Sequence, residues 1–455
     1  MFNTIEADLR RFDSTGQTRP APRIIGIGGY TSDIPVSTLA IASASAAVSA
    51  LQSLCASELG HIPDATVDAA AIDHWCKGSV QPANWSMQPQ WDRFSRDYRT
   101  ENGWIRLHTN AEHHRDAALS VLGRPTTPDE VEREITRWDS ESLEAAIVEA
   151  GGCAAQLRLT RAWHTHPQGR ALSLEPIVAW DEAPSHPCRW NLTSSQRPMS
   201  GLRVLDATRV LAGPVATRFL ASLGADVLRI DPPDWNEDGN AIEMTVGKTC
   251  AGLDLRDKQD RATFRRLIQT ADVLVHGYRA DALEKLGFGV DACRALNPGL
   301  ITVCLNAYGW TGPWTNRRGF DSLVQRSTGL AEVRDNGVVA LPYQVLDHAT
   351  GYLMAATALH ALRYQREHGK TLSARLSLAR QAKLLLDHRG DRATQCAPFE
   401  ATQHRRYQED LEQTDWGPVR RLRPAYMIAG IDSGWDRPAH HLRSDVPAWR
   451  PKVEE

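Results

Sequence analysis

The turn Leu211-Ala212-Gly213-Pro214-Val215 is the first place where residue types and spacing point to chemistry. It joins a predicted strand, RVLDAT, to a predicted helix, and a helix N-terminus presents unpaired N–H groups to an anion such as phosphate. A plain strand-to-helix turn would carry the same residues, so the turn alone leaves both interpretations open. Neither it nor the GIGGY segment at Gly26 to Tyr30 has the G-x-G-x-x-G spacing, so a nicotinamide cofactor is not indicated.

Two segments, Thr38 to Leu54 and Tyr352 to Arg363, have small and apolar residues on every face, which is typical of buried helices. A polar turn and a short apolar run follow each of them, so the chain contains an internal repeat. The helical segments align at an offset of 311 residues, and the apolar runs, with Val67 opposite Ala374, at an offset of 307. The first copy is therefore predicted to have four extra loop residues.

A carboxylate, Asp347, stands at the entrance of the second of these helices, whereas Val36 occupies the aligned position of the first. An aspartate at a helix entrance can cap the helix. It is also ionised at neutral pH in its ordinary state, so it can act as a nucleophile without a separate base. The asymmetry between the copies favours a chemical role for the second.

The elements that must position these residues change character near Ser200. After it, strands and helices alternate, which predicts a parallel sheet covered by helices. The predicted elements after the turn are a strand DVLRID, helix Asp260 to Thr270, strand Asp272 to His276, helices Asp281 to Leu286 and Val290 to Leu296, and strand Leu300 to Leu305.

The first half of the sequence lacks this alternation of strands and helices. Thr127 to Ala150 predicts two short amphipathic helices, the first capped by Thr126 or Thr127 and the second ended by Gly151 and Gly152. The stretch Ala183 to Gly201 has the Pro-rich composition of a linker. We therefore divide the chain into residues 1–199 and 200–455.

Composition excludes several classes of function. The chain has 455 residues and a net charge of -3, so it has no overall field for nucleic acid or an anionic membrane. Eight scattered cysteines show no zinc spacing and are expected to be reduced. The histidines at 113–114, 164, 166 and 440–441 lack partners at ligand spacing, so we interpret them as surface or hydrogen-bonding residues, and no metal is predicted.

No leader or membrane span is recognised in the sequence. Met1 to Pro20 is polar, and the longest apolar run, Thr38 to Leu51, is too short to cross a bilayer. A cytoplasmic location is the expectation.

Six blocks after residue 200 resemble the family III CoA-transferases, in the order in which that family has them. They are GLRVLDATRVLAGPVATRFLASLGADVLRID, GLDLRD, ADVLVHGYRADALEKLGFG, LNPGLITVCLNAYGWTGPW, RRGFDSLVQRSTGL and VLDHATGYLMAATALHAL. The resemblance implies an α/β fold with a Rossmann-like parallel sheet and flanking helices, plus a smaller α+β portion interdigitated with it. It also implies a transferase of sulfur-containing groups that uses an acyl-CoA and a small carboxylic acid as substrates, with no tightly bound cofactor. A homodimer is compatible with it.

The resemblance carries the family's catalytic carboxylate onto Asp347, which would attack the acyl-CoA thioester and hold the acyl group as a mixed anhydride. It carries coenzyme contacts onto Val210, Leu211, Ala212, Leu253, Arg256, Tyr278, Arg279, Lys285 and Arg318. Two departures from the family concern these contacts. Gly277-Tyr278 replaces a pair such as Asn-Phe, and Ile230-Asp231-Pro232 stands where the family has an Arg or Lys near a strand end.

The first half also resembles the family, but in a segment that normally follows the catalytic part: WIRLHTN from Trp104, the helices before Ala150, and RAWHTHPQGR from Arg161. We therefore interpret the chain as two incomplete family units in tandem. Only the second has the coenzyme-binding start and the aspartate.

Two alternatives stay open. The related acyl-CoA racemases use a histidine in a GHD block, where this chain has Gly319-Phe320-Asp321, and phenylalanine cannot accept a proton. The truncated layout would also suit a catalytically silent CoA-binding scaffold. CoA transfer ranks first.

Overall fold

The computed structural model describes residues 1–12, 20–29, 33–185, 188–279, 281–335, 337–390 and 406–451. Its helices are α1 Phe2–Leu9, α2 Val36–Leu59, α3 Ala69–Lys77, α4 Glu112–Val121, α5 Pro128–Ile135, α6 Ser140–Glu149, α7 Thr160–Thr165, α8 Pro167–Leu172, α9 Ala212–Ser222, α10 Asp238–Met244, α11 Lys258–Thr270, α12 Ala282–Lys285, α13 Val290–Leu296, α14 Asp321–Thr328, α15 Val345–His368 and α16 Leu378–Asp387. Its strands are β1 Arg23–Ile25, β2 Ala65–Asp68, β3 Val80–Pro82, β4 Asp97–Arg99, β5 Trp104–Leu107, β6 Ala154–Gln156, β7 Ala179–Ser185, β8 Arg203–Ala207, β9 Asp226–Asp231, β10 Thr249–Gly252, β11 Val273–His276, β12 Ile301–Asn306, β13 Glu332–Arg334, β14 Gly337–Val339, β15 Lys370–Ser377, β16 Glu412–Thr414, β17 Gly417–Arg421 and β18 Tyr426–Ile428.

A seven-stranded sheet forms the centre of the protein, in the order β10-β9-β8-β11-β12-β15-β7. Its neighbours pair in parallel except for β7, which runs antiparallel to β15. The inner strands are buried along their length, as expected for a parallel sheet with helices on both faces. The predicted α/β class is confirmed, and the predicted strands after residue 200 are present within one or two residues of their expected ends.

Strands from the two halves of the sequence pair with each other in three places. Besides β7 with β15, β2 pairs with β18 and β3 pairs with β17. The predicted linker before Gly201 thus includes part of β7, an edge strand of the large sheet. Because these sheets need strands from both halves, the smaller α+β portion is interdigitated with the larger one, as expected.

The internal repeat is more regular than the sequence alignment predicts. Helices α2 and α15 both have 24 residues and begin 309 positions apart, at Val36 and Val345. The residues before them, Pro35 and Gln344, have φ of -79° and -76°, and both helices end at a left-handed glycine. The next helices also match at 309, since Asp68 and Ser377 are their N-caps. The predicted offsets of 311 and 307 and the four extra loop residues are therefore wrong, and Thr38, not Val36, is the counterpart of Asp347.

Helix α15 is the core element that the rest of the protein surrounds. It packs against α2 on one side and α9 on another, and nearly all of its side chains are buried. Gly351 allows the close approach to α9, because a Cβ there would lie 2.4 Å from the carbonyl oxygen of Ala212. Helix α2 is long and apolar enough to cross a membrane by length and composition, and it is almost wholly buried inside the protein.

The two short amphipathic helices predicted in the first half are present as α5 and α6. A capping box formed by Thr127 and Glu130 opens α5, and Asp139 caps α6. Seven of the eight cysteines are free thiols, most of them buried, and Cys396 lies outside the described residues, as does Tyr30.

Candidate active site

A cavity of about 380 Å³ opens at the carboxyl ends of β8, β11 and β12, where open α/β sheets place their ligands. One wall is the turn from β8 into α9, another is the loop after β11, and α4 from the first half closes a third side. We call it the inner cavity. The residues that line it are His113, His114, Ala207, Thr208, Arg209, Val210, Leu211, Ala212, Trp235, Gly277, Tyr278, Arg279, Ala282, Leu305, Asn306, Ala307, Arg317, Arg318, Gly319, Phe320, Asp347 and Leu378.

The turn into α9 has an unusual backbone. Val210 adopts φ 65°, a conformation that β-branched residues rarely take, and its N–H donates to the Glu237 carboxylate at 2.7 Å. Gly213 must be glycine, since a Cβ there would lie 2.3 Å from the Cβ of Thr208. The turn is thus held in one shape, with the N-terminus of α9 at the cavity wall.

Beneath this turn lies a fully buried ion pair. The Lys248 ammonium donates to Asp206 at 3.0 Å, to Thr217 at 2.7 Å and to the carbonyl of Pro214 at 3.2 Å. Burial lowers the pKa of Lys248, although Asp206 opposes the shift. Burial disfavours ionised Asp206, but Lys248 and Arg229 hold the pKa of this carboxyl below its ordinary value. The network joins the end of β8 to the first turn of α9.

Asp347 is the third residue of α15, and its carboxyl group lies in the cavity wall. Asp347 is 8% exposed, and no described donor lies within hydrogen-bonding distance of its carboxyl group. Burial, and then the neighbouring Asp321 carboxyl, raise the pKa of Asp347 well above its ordinary value. The expectation that Asp347 is ionised as readily as an ordinary aspartate is therefore corrected.

Asp321 is the residue that satisfies the start of α15. One carboxylate oxygen accepts from the backbone N–H groups of Leu346 at 2.8 Å and Asp347 at 3.1 Å, and the other accepts from Gln325 at 2.6 Å. Burial raises the pKa of Asp321 to about 6, while these hydrogen bonds oppose the shift. Capping, the alternative role considered for Asp347, thus belongs to Asp321, and the Asp347 side chain is left facing the cavity.

A second cavity of about 500 Å³ adjoins the first and shares four residues with it: His113, Arg209, Trp235 and Tyr278. We call it the outer cavity. Its other lining residues are Glu112, Asp116, Pro232, Asp234, Leu253, Asp254, Leu255, Arg256 and Leu286. The two cavities therefore lie side by side, and we refer to them together as the cleft.

The structure brings most of the predicted coenzyme contacts into this cleft. Val210, Leu211, Ala212, Arg279 and Arg318 line the inner cavity, Leu253 and Arg256 line the outer one, and Tyr278 lines both.

Lys285 is the exception, because it lines neither cavity. Its exposed ammonium pairs with Asp281, one turn earlier on the same helical segment.

Two residues from the first half were not predicted for the site. His113 and His114, on α4, line the inner cavity, and burial lowers the pKa of His114 to about 3. His114 is buried with one ring nitrogen unpaired, so the surface or hydrogen-bonding interpretation is wrong for it. A second pair of adjacent histidines occurs at His440 and His441, so the sequence offers no signal that distinguishes the pair on α4.

Two of the other histidines make local hydrogen bonds, as predicted. His440 lies 2.8 Å from Asp445, and His166 accepts from the backbone N–H of Gln168 at 3.1 Å. Among the described residues, no group of three or more potential ligands is arranged for a metal ion.

The second half of the chain matches one family of known proteins. Residues 199–413 match CoA-transferase family III. An acyl-CoA transferase of Gibberella moniliformis is 27% identical over 341 residues, which cover 66% of this chain and 59% of that protein. A probable fatty acyl-CoA transferase of Mycobacterium tuberculosis, Rv3272, is 33% identical over 38% of this chain and 48% of its own length.

Two further matches also cover about two fifths of this chain. The succinate–glutarate CoA-transferase of Agrobacterium fabrum is 31% identical over 38% of this chain and 50% of its own. A crystal structure of Rv3272 matches with 32% identity and a TM-score of 0.38, covering 42% of this chain and 59% of that one. The chain spans about half the length of the curated relatives it matches.

Proposed function

We propose that this chain, which carries a CoA-transferase family III domain at residues 199–413, moves CoA between an acyl-CoA thioester and a carboxylic acid. Asp347 forms the covalent intermediate. The observation that carries the proposal is the position of its carboxyl group, in the wall of a cleft large enough for a coenzyme and without a described hydrogen-bond donor.

The reaction begins when a carboxylate oxygen of Asp347 attacks the carbonyl carbon of the thioester. The C–S bond breaks, the electron pair leaves with the CoA thiolate, and the acyl group stays on Asp347 as a mixed anhydride. The acceptor carboxylate then attacks the aspartyl carbonyl carbon of this anhydride and displaces the donor acid, which gives an anhydride between Asp347 and the acceptor. The CoA thiolate attacks the acceptor acyl carbon of that anhydride, so the new thioester forms and the Asp347 carboxylate leaves unchanged. The chain needs no metal or redox group for these steps, because every bond changes by displacement at a carbonyl.

The environment of Asp347 suits a nucleophile that is reactive only when it is ionised. Because burial and Asp321 raise its pKa, ionisation becomes more complete as the pH rises. The resulting anion lacks the hydrogen bonds that would stabilise it, and a poorly solvated carboxylate attacks more readily. We expect the rate of acyl exchange to rise with pH until Asp347 is fully ionised.

Racemisation of an acyl-CoA fits the cavity less well. Phe320 lies in the wall, stacked on His108 with ring centroids 3.7 Å apart, and offers no proton acceptor. His114 also lines the cavity, but burial lowers its pKa to about 3, so it is a weak base. A catalytically silent CoA-binding scaffold would not need a buried carboxyl group with a raised pKa in the cavity wall.

The remaining expectations follow from the same proposal. Two incomplete units supply one set of parts, with α4 of the first half closing the site that the second half begins. A cytoplasmic location and a homodimer stay predictions from the sequence. Substrates are an acyl-CoA and a small carboxylic acid.

The decisive variant is Asp347→Asn, which keeps the size of the side chain but lacks the anionic oxygen that attacks a thioester. Acyl exchange, followed by mass spectrometry with a panel of acyl-CoAs and acids, should fall by several orders of magnitude, whereas CoA binding measured by calorimetry should persist. Unmodified protein treated with acyl-CoA and then hydroxylamine should carry a modified residue at 347. Near-normal turnover of the variant, or modification at Asp321 instead, would show that the assignment is wrong.

A further inference from the structure

Arg209 lies in the wall that the inner and outer cavities share. It follows β8 directly and precedes the turn into α9, but the resemblance to the family did not select it. Trp235 and Tyr278 hold its guanidinium between them, at 4.8 Å and 5.3 Å from the ring centroids. The guanidinium also donates to the Tyr278 hydroxyl at 3.3 Å.

The aromatic residues fix this guanidinium before any ligand arrives. The Trp235 indole N–H donates to Glu237 at 2.8 Å, and Glu237 is held in turn by the fully buried Arg229. A cation between two positioned rings keeps its hydrogen-bonding edges available, and a group ordered in advance loses less entropy on binding. No described carboxylate lies within ion-pair distance of Arg209, so its charge is not neutralised.

The other cation in the outer cavity, Arg256, is already occupied. Its guanidinium donates to Asp254 at 2.7 Å and to Asp234 at 3.0 Å, and it is well exposed. Glu112 and Asp116 line the same cavity. Carboxylates therefore line the outer part of the cleft, and Arg209 supplies an unpaired positive charge where the two cavities meet.

We propose that Arg209 binds the pyrophosphate of CoA. This inference rests on the proposed function. A thioester that reaches Asp347 must place its pantetheine arm in the inner cavity and its nucleoside in the outer one, and the pyrophosphate is the group between them. Guanidinium groups match phosphate oxygens with two parallel hydrogen bonds.

The charge of Arg209 also bears on a departure from the family. Where the family has a basic residue near the end of a strand, this chain has Ile230-Asp231-Pro232, and Pro232 lines the outer cavity together with Arg209. Arg209 therefore supplies a positive charge to a cavity whose strand end provides none.

Calorimetry with three ligands tests the assignment. Arg209→Gln should raise the Kd for CoA and for dephospho-CoA, which lacks only the 3′-phosphate, by about ten- to a hundred-fold in each case, the range for hydrogen bonds to a charged group. Binding of pantetheine, which has no phosphate, should stay unchanged. Arg209→Lys should restore part of the lost affinity, and it replaces the glutamine variant as the test if that protein unfolds.

The control is Arg137→Gln, which removes an exposed charge that lines neither cavity and should leave all three affinities unchanged. A loss of affinity for CoA but not for dephospho-CoA would move Arg209 to the 3′-phosphate and overturn the assignment. Equal CoA affinity of unmodified and Arg209→Gln protein would overturn it while leaving CoA transfer standing. Unmodified protein that binds no CoA at all would contradict the proposed function and this inference together.

Discussion

The substitution Asp321→Asn tests the electrostatics of the carboxyl pair at the start of α15. The asparagine oxygen can still accept from the N–H groups of Leu346 and Asp347, so the helix start keeps its partner while the titratable group disappears. Asp321 has a pKa of about 6 in the folded protein against an ordinary 3.8. Each unit of pKa shift corresponds to about 1.4 kcal/mol between the two protonation states.

The sign follows from the raised pKa. The folded protein holds the Asp321 proton more tightly than the unfolded chain, so this group stabilises the fold at low pH and the contribution is lost as the pH rises from about 4 through 6. With a shift of about two units, unmodified protein loses on the order of 3 kcal/mol from this group by pH 7, whereas the variant does not. The difference in unfolding free energy between the two should grow by that amount across this window.

Urea unfolding followed by tryptophan fluorescence between pH 4 and pH 8 measures this difference, because groups distant from the carboxyl pair titrate alike in both proteins. The variant also lacks the charge that raises the pKa of Asp347, so the rise of acyl exchange with pH should move to lower pH. Asp335→Asn, at an exposed turn, is the control and should show neither change. Stability curves that stay parallel for Asp321→Asn and unmodified protein would refute the reasoning.

Two further outcomes are expected from the fold. A fragment of residues 200–455 should be insoluble or inactive, because β15 and β17 each lose one of their two partner strands, β18 loses β2, and α15 loses the surface of α2. A soluble and active fragment would contradict the interdigitated arrangement. Lys248→Met should lower the unfolding free energy by about 3–5 kcal/mol, since it leaves the Asp206 carboxylate buried without its partner. Adding Asp206→Asn should recover part of the loss, and an unchanged denaturation midpoint for the single variant would show that the pair is not a stabilising contact.

The sequence was enough to predict the local elements, and it supplied Asp347 as the catalytic candidate. Alternating strands and helices after residue 200, the two Ala-rich helices and the capped helix at Pro128 all follow from short-range patterns, and the structure contains them. Asp347 can be recognised as a candidate from its own block, because a few residues of sequence are enough to identify a carboxylate at the start of a buried helix. Those predictions depend on hydrogen bonding and burial inside one segment.

The alignment of the internal repeat and the contact partners of individual side chains depended on the tertiary structure. The repeat offset of 309 became clear only from the matching caps at Asp68 and Ser377, since small apolar residues align almost equally well at several offsets. Lys285 lies outside the cleft because its ammonium group pairs with Asp281 on the protein surface. A charged residue within a block that resembles the family can point into the cleft or into solvent. The residues next to it in the sequence do not determine which.

The composition of the cleft was decided by contacts between distant segments. His114 comes from the first half, Trp235 and Tyr278 follow different strands of the sheet, and together with Arg209 they meet only when β8, β9 and β11 lie side by side. The sequence determined that Asp347 begins a buried helix. That Asp321 caps this helix, that the Asp347 carboxyl faces the cavity, and that its pKa is raised were decided by burial and by a neighbour 26 residues away, because solvation and charge depend on distances in space and not along the chain.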